Sequence, residues 1–527
     1  MITGKNYIGN ELSAKGEVTY STFDPKLNIP TQWTFYEATE EEINLAVTKA
    51  QSAFKVYRNA SGKQKADLLR TIAEEIETLG DELVQIYMQE SGLPEGRALG
   101  ERGRTTGQLR AFAQLLEDGS WLEATIDTAQ PDRKPLPKVD LRKLLVPLGP
   151  IVVFGSSNFP FAFSTAGGDT ASALAAGCPV IIKSHPMHAG TGEMVASAVL
   201  RAIERTGMPD GLFSNLNSSG IEVGQKLVGH PGVKGVGFTG SIRGGTALYR
   251  LANDRKEPIP VFAEMGSINP VVLLPRALAE KGEEWAQNYA GSITLGAGQF
   301  CTNPGLLLGI KGEALDEFAT NLGGAIEKVE PICMLHPNIY SGFERGKQEV
   351  TSQSQVAVVA SFEADVPPNY GKQRILKVEG AQFIANPKLH QEVFGPFSII
   401  VECADADELE RIINELEGQL TGTILGVEEE IENYASIVEA LKNRVGRIIF
   451  NGVPTGVEVC PSMQHGGPFP ASTDSRFTAV GTSSIKRWVR PVAYQNWPQK
   501  ALPDALKDTN PLGIMRLVNG KYTTSKI

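Results

Sequence analysis

The sequence predicts an α/β protein, with a doubly wound, mainly parallel sheet followed by a second α/β unit. Three observations carry this. Between Leu145 and Phe262, short apolar runs alternate with helical stretches, the pattern of parallel strands joined by crossover helices. A second alternating set runs from Pro270 to Phe450. Three polar motifs, Ser157-Asn158, Lys183-Ser184 and Thr239-Gly240-Ser241, each follow a strand-like run. Ligands of such sheets bind outside the carboxyl ends of the strands, so these motifs converge on one edge.

The elements follow in order. From Thr39 to about Leu115 the pattern is helical, and Glu40-Glu41-Glu42 behind Thr39 opens the first segment with acidic residues in its first turn. Gln64 to Leu79, Gly80 to Ser91 and Thr105 to Leu116 continue it. From Leu122 to Leu145 strand-like fragments mix with charges and with Pro131, Pro135 and Pro137, which suits an excursion away from the domain. Strands are expected at Ile151–Phe154, Val180–Ile182, Val236–Phe238 and Pro260–Phe262, with a helix over Thr191–Glu204. Further strands are expected at Pro270–Leu274, Leu306–Ile310, Ser398–Val401, Thr423–Leu425 and Arg447–Phe450. In the tail, Ile514–Val518 reads as an ordered strand.

Bulk properties narrow the function. A chain of 527 residues exceeds one ordinary core. Its net charge of −10 argues against nucleic acid as the main partner. The basic clusters Arg133-Lys134 to Arg142-Lys143 and Lys486-Arg487 read as solvated surface or interface. Five cysteines without paired spacing and six scattered histidines suit free thiols in a reducing compartment and no metal site. The first residues lack a signal peptide's apolar core. The apolar stretch Leu144–Phe163 is broken by three prolines and two glycines, so no membrane span is expected. A cytoplasmic protein is the expectation.

Gly298-Gln299-Phe300-Cys301-Thr302-Asn303-Pro304 places a cysteine among small residues ahead of a strand, which suits a thiol presented at a turn. Cys178 precedes a buried strand and reads as structural, Cys333 and Cys403 have no supporting context, and Cys460 lies in a Pro- and Gly-rich loop that is a candidate neighbour of the site. Glu264 ends an apolar run ahead of Gly266, where burial raises a carboxyl pKa toward that of a neutral-pH base; a capping carboxylate is the other reading. Asn158 before Phe159-Pro160 is also ordinary turn chemistry.

Taken in order, Ser157-Asn158-Phe159-Pro160, Phe238-Thr239-Gly240-Ser241, Glu264-Met265-Gly266-Ser267 and the Cys301 segment resemble the aldehyde dehydrogenase superfamily, from about Gly4 to Pro491. The resemblance implies oxidation of an aldehyde to an acid through a thiohemiacetal and a thioester. Cys301 is then the nucleophile, Asn158 an oxyanion donor and Glu264 the deacylation base. The family's usual Glu-Leu-Gly-Gly is Glu-Met-Gly-Ser here, which retains the base and favours hydrolysis over acyl transfer. A nicotinamide cofactor is implied, held by Lys183, Ser184, Gly220, Gly224, Phe238, Thr239, Gly240, Ser241, Glu392 and Phe394, the last two from Glu392-Val393-Phe394-Gly395-Pro396. Pro186 stands where NAD-preferring members carry a carboxylate. Lys183 and Ser184, with His185 as a further candidate, are left to meet a 2′-phosphate, so NADP is favoured, with NAD open.

The implied fold has a Rossmann-like cofactor domain (1–117 and 146–263), a catalytic domain (264–470) and a bridging β element with the tail (118–145 and 471–527). That element joins a neighbouring subunit, giving a homodimer or homotetramer. Ser156-Ser157-Asn158-Phe159-Pro160-Phe161-Ala162-Phe163-Ser164, Gly167-Gly168-Asp169-Thr170 and Asn510-Pro511-Leu512-Gly513 resemble a branch containing α-ketoglutarate semialdehyde dehydrogenases and NADP-dependent long-chain aldehyde dehydrogenases. By the same resemblance a helix borders the substrate tunnel. Arg104 falls there and is placed to pair with a distal carboxylate, with Gln108 one turn on and Phe159 and Phe163 as walls. A surface cation is the other reading of Arg104. An oxo-acid semialdehyde is favoured over a fatty aldehyde, and a catalytically silent relative is the remote alternative.

Overall fold

The computed structural model describes residues 2–527. Four helices open the first unit: α1 (Glu40–Tyr57), α2 (Gly62–Thr78), α3 (Gly80–Ser91) and α4 (Glu95–Asp118). Capping boxes start α1 and α2: Thr39 and Ser61 each accept from the third helical N–H, while Glu42 and Gln64 reach back to the cap. α4 begins ten residues before the expected Thr105. Its Gly96, Gly100, Gly103 and Gly107 weaken the helical signal, and a Cβ at any of them would meet nothing within 4 Å. Packing of the opposite face, not propensity, holds this helix.

The first sheet runs Val261–Glu264, Gly235–Thr239, Ile151–Phe154, Val180–Lys183 and Phe213–Leu216, all parallel, then antiparallel Asn6–Ile8 and Glu11–Ser13. Phe213–Leu216 escapes the sequence reading because Ser214 and Asn215 interrupt its apolar pattern, yet both are fully buried. The register aligns Lys183 and Phe238 with Phe154, and Glu264 with Thr239. One carboxyl edge therefore gathers the expected motifs.

The second sheet runs Ala357–Ser361, Arg374–Glu379, Phe397–Cys403, Leu306–Ile310, Pro270–Leu273, Gln419–Leu425 and Val445–Phe450. Each sheet is flanked by its own apolar clusters, one centred on α2 to α4 and another on Phe343, Phe383 and Phe397. A third sheet joins Val489–Gln495, Leu141–Pro147, Thr125–Asp127, Arg516–Val518 and Lys521–Thr523.

Two expectations change here. Residues 471–488 do not belong with the bridging sheet, which begins at Val489. They fold back on the first unit, where Trp488 Nε1 donates to Ser172 Oγ at 2.7 Å and Arg487 pairs with Asp169 at 2.6 Å. Arg487 is accordingly buried and paired, not solvated. Among the described residues, no helix is long and apolar enough to cross a membrane.

Candidate active site

A groove of about 750 Å³ runs along the carboxyl edge of the first sheet and ends at the second unit. Lys183, His185, Gly220, Ile221 and Gly224 line one end. Phe238, Thr239, Gly240 and Ser241 line the middle. Asn158, Phe159, Phe163, Glu264, Cys301, Glu392, Phe394 and His465 close the other.

The groove's shape depends on particular atoms. A Cβ at Gly224 would lie 2.7 Å from the Phe154 ring, so glycine lets the helix Glu222–Gly229 lie close to the strand end. Ser241 caps the helix Ile242–Asn253, accepting from Gly244 N–H at 3.2 Å. That helix presents its amino end, where free N–H groups and the dipole favour an anion. This cradle fits a dinucleotide pyrophosphate.

The cysteine turn is tied down on several sides. Asn269 Nδ2 donates to the carbonyls of Cys301 and Asn303, both at 2.8 Å. Asn303 Nδ2 donates to Gly395 O at 3.2 Å. A Cβ at Gly298 would lie 2.2 Å from that same carbonyl, so the cysteine motif and the Glu392–Pro396 motif pack backbone to backbone. Asn158 Nδ2 donates to Gln299 O at 3.1 Å, aiming the amide at the turn from the first unit. Cys301 is half-buried, and its Sγ lies 3.6 Å from His465 Nε2. Burial pushes the thiol up to about 12, Glu392 and Glu264 adding to the effect and Arg104 opposing it. His465 is pushed down to about 3 by burial and by Arg104, Arg447 and Arg487. It is therefore a neutral imidazole, able to hydrogen-bond the sulfur as thiol or thiolate according to its tautomer.

Glu264 ends its strand 7% exposed, and its Oε2 has no hydrogen-bond partner. Burial raises its carboxyl well above the usual range, and Arg487 only partly opposes that. Beyond Cys301, Phe159 stacks edge-on with Phe163 and Phe300, at 5.2 and 5.6 Å between centroids. The Arg104 guanidinium lies 5.4 Å from the Phe163 centroid and 5.9 Å from that of Phe159. Its Nε and Nη2 are buried with no hydrogen-bond partner.

A family model described as "Aldehyde dehydrogenase family" matches residues 13–342. The chain belongs to the aldehyde dehydrogenase family. This aldehyde dehydrogenase is 47% identical over 521 residues to "Alpha-ketoglutaric semialdehyde dehydrogenase 2" of Azospirillum brasilense, covering 99% of each chain. It is 45% identical to "Alpha-ketoglutaric semialdehyde dehydrogenase" of Acinetobacter baylyi, again over 99% of each. A solved methylmalonate-semialdehyde dehydrogenase from Oceanimonas doudoroffii shares the fold with a TM-score of 0.80 at 19% identity, covering 94% of this chain and 99% of that one. A betaine aldehyde dehydrogenase from Staphylococcus aureus in complex with NAD+ superposes equally well, with a TM-score of 0.80 at 17% identity, over 94% and 96%.

Three sequence expectations about this aldehyde dehydrogenase are corrected. The Ser184 hydroxyl does not face the groove: it is buried beside Gly192, and His185 lines the wall instead. Gln108 lies against Gly168, packed inside and not along the tunnel. The adenosine end does have a nearby carboxylate, although Pro186 removes one. Ser219 Oγ donates to Glu37 at 2.7 Å, and a Cβ at Gly220 would stand 4.0 Å from Glu37 Oε1. Lys183 donates to Ser218 O at 3.3 Å; burial lowers its ammonium to about 8, with Glu37 opposing.

Sequence reasoning does not reach His465, Asn269 or Glu37. His465 and Glu37 meet the site across long stretches of chain, 164 residues in the case of His465 and Cys301, and Asn269, just beyond the Glu264–Ser267 motif, carries no local mark of its bond to the turn 32 residues on. Cys460 sits beside Ser462, 3.5 Å from its hydroxyl, and is not among the groove's lining residues.

Proposed function

We propose that this aldehyde dehydrogenase oxidises α-ketoglutarate semialdehyde (2,5-dioxopentanoate) to 2-oxoglutarate, with NADP preferred over NAD. The observation that carries the substrate is Arg104. A buried guanidinium with two unpartnered nitrogens, set between aromatic walls near the thiol, lacks an anion. A carboxylate at the far end of a short aldehyde supplies one, in the bidentate geometry guanidinium favours. A fatty chain would leave the cation buried and unpaired, which is costly. The identity to the two semialdehyde dehydrogenases supports the same substrate.

The chain's residues divide the chemistry. The Cys301 thiolate adds to the aldehyde carbon, and the oxygen becomes an alkoxide held by Asn158 Nδ2 and the Cys301 N–H. A nicotinamide dinucleotide, which Lys183, Gly224, Thr239, Ser241 and Glu392 would hold along the groove, would supply the hydride acceptor that turns the alkoxide adduct on Cys301 into a thioester. Glu264 then removes a proton from water, whose oxygen adds to the acyl carbon; collapse releases the acid and returns the thiolate. A raised carboxyl pKa suits this base, which must take a proton and give it up near neutrality. The resting thiol, pushed up by burial, needs a change in local charge on binding to lose its proton, because the neighbouring His465 imidazole is held too weakly basic to take it. The preference for NADP rests on Lys183 and His185 facing the groove with no carboxylate at position 186.

The protein is proposed to act in the cytoplasm as a homodimer or homotetramer. The outer strand Val445–Phe450 exposes Ile448 and Phe450, an apolar edge suited to a second copy.

The test is kcat/KM with NADP and with NAD for α-ketoglutarate semialdehyde, succinic semialdehyde and decanal. Preference for the two semialdehydes supports the reading. Preference for decanal overturns it and makes the tunnel that of a long-chain aldehyde dehydrogenase.

A further inference from the structure

Arg97, Glu101 and Arg104 stand four and three residues apart on α4, one stripe of a helix. Arg104 is unpartnered, whereas Glu101 is saturated and Arg97 is held by two hydrogen bonds. The Glu101 side chain is 1% exposed. Its Oε1 accepts the N–H groups of Phe161 at 2.8 Å and Ala162 at 2.9 Å. Its Oε2 accepts the Tyr87 hydroxyl at 2.7 Å and Arg97 Nε at 3.3 Å. Arg97 then reaches two loops from different units. Nη2 donates to Asn158 O at 3.2 Å, and the guanidinium carbon lies 4.4 Å from the Phe159 centroid and 4.9 Å from that of Phe300. Phe300 immediately precedes Cys301.

We propose that Arg97 is a positioning residue: it clamps the Asn158 loop to the Cys301 turn, so that amide and thiol converge on one carbonyl group, and Glu101 holds it in that pose. The role rests on the reading of Asn158 as the alkoxide's donor. Nothing covalent fixes the distance between the two loops. The one direct hydrogen bond across them is the Asn158 amide to Gln299 O, and that amide must remain available to the substrate. A planar guanidinium spans the gap because it presents a face to aromatic rings and an edge to a carbonyl together. A lysine ammonium has no such face. A loss of alignment of about 1 Å costs on the order of 10²-fold in rate.

The experiment is the pre-steady-state burst of reduced cofactor with propanal and NADP, for wild type, Arg97→Ala, Arg97→Lys and Glu101→Gln. Arg97→Ala should slow the burst about 10²-fold with the KM for NADP unchanged. Added guanidinium ion should restore part of the rate, and Arg97→Lys should not. A merely structural role predicts no rescue by guanidinium. A burst within threefold of wild type at an unchanged melting temperature overturns the proposal, and so does a slow burst that guanidinium leaves unmoved. Should Arg97→Ala not fold, Glu101→Gln decides: it should slow propanal and α-ketoglutarate semialdehyde equally, and selective loss of the semialdehyde overturns the positioning role. Propanal has no carboxylate, so this outcome is independent of the substrate reading. If decanal proves the better substrate in the earlier panel, that reading fails while the Arg97 result stands.

Discussion

At the aldehyde end of the groove, Asn158, Asn269 and Asn303 tie the cysteine turn to both units through contacts of 2.8–3.2 Å. At the adenosine end, Lys183 holds one carbonyl at 3.3 Å, and Glu37 reaches in from a distant segment through the hydroxyl and N–H of one residue, Ser219. The chemistry is thus set in a braced frame, where one displaced atom is felt by several others. Cofactor choice rests on a few separable charges. Substitutions should therefore have steep effects at the first end and graded ones at the second.

Cys301→Ala tests the braced end most severely. Oxidation of every aldehyde should fall by about 10⁴-fold or more, the scale seen when a nucleophile is removed; residual oxidation near wild type would sink the thiohemiacetal route. Glu264→Gln comes next. The initial burst should survive, while steady turnover falls by roughly 10²–10⁴-fold as expected for a lost general base. Because burial raises this carboxyl above the ordinary 4.5, wild-type turnover should rise with pH through the raised value as the base loses its proton. That rising limb should be absent from the variant's profile, and its persistence there would assign the titration to another group.

Arg104→Ala separates substrate anchoring from chemistry. A charge-assisted contact contributes about 1.5–3 kcal/mol, so kcat/KM for α-ketoglutarate semialdehyde should fall by about 10–100-fold, with propanal little changed. Equal loss on both would refute the anchor. The smallest effect is expected at the other end of the groove. Glu37→Gln should raise the NADP to NAD ratio of kcat/KM by about three- to tenfold, the scale of one half-exposed charge facing a phosphate. An unchanged ratio would remove Glu37 from cofactor choice.

The contrast also explains how far the sequence can be read. Cys301, Glu264 and Thr239-Gly240-Ser241 are legible because each lies where a strand meets a turn, and the local pattern marks that place. Ser184 misleads because strand alternation decides its direction: Lys183 and His185 face the groove and the residue between them is turned inward. Arg97 and Glu101 are hidden by the glycines of α4, which blur the helix that aligns them. His465 acts across a chain separation that only the folded topology closes, and Asn269 follows the Glu264 motif with no local pattern to mark its bond to the cysteine turn. The strand Phe213–Leu216 is obscured by Ser214 and Asn215, whose polarity is at odds with their complete burial.

The bridging sheet has two unlike borders. Val489–Gln495, paired with Leu141–Pro147 on one side only, leaves the outer side of a seven-residue strand open with Pro491 in it, whereas the tail hairpin ends in the three-residue strand Lys521–Thr523. Short, lysine-bearing borders resist strand addition. The tail thus works as a selvedge: it finishes one margin of the fabric and leaves the longer margin with its outer thread open.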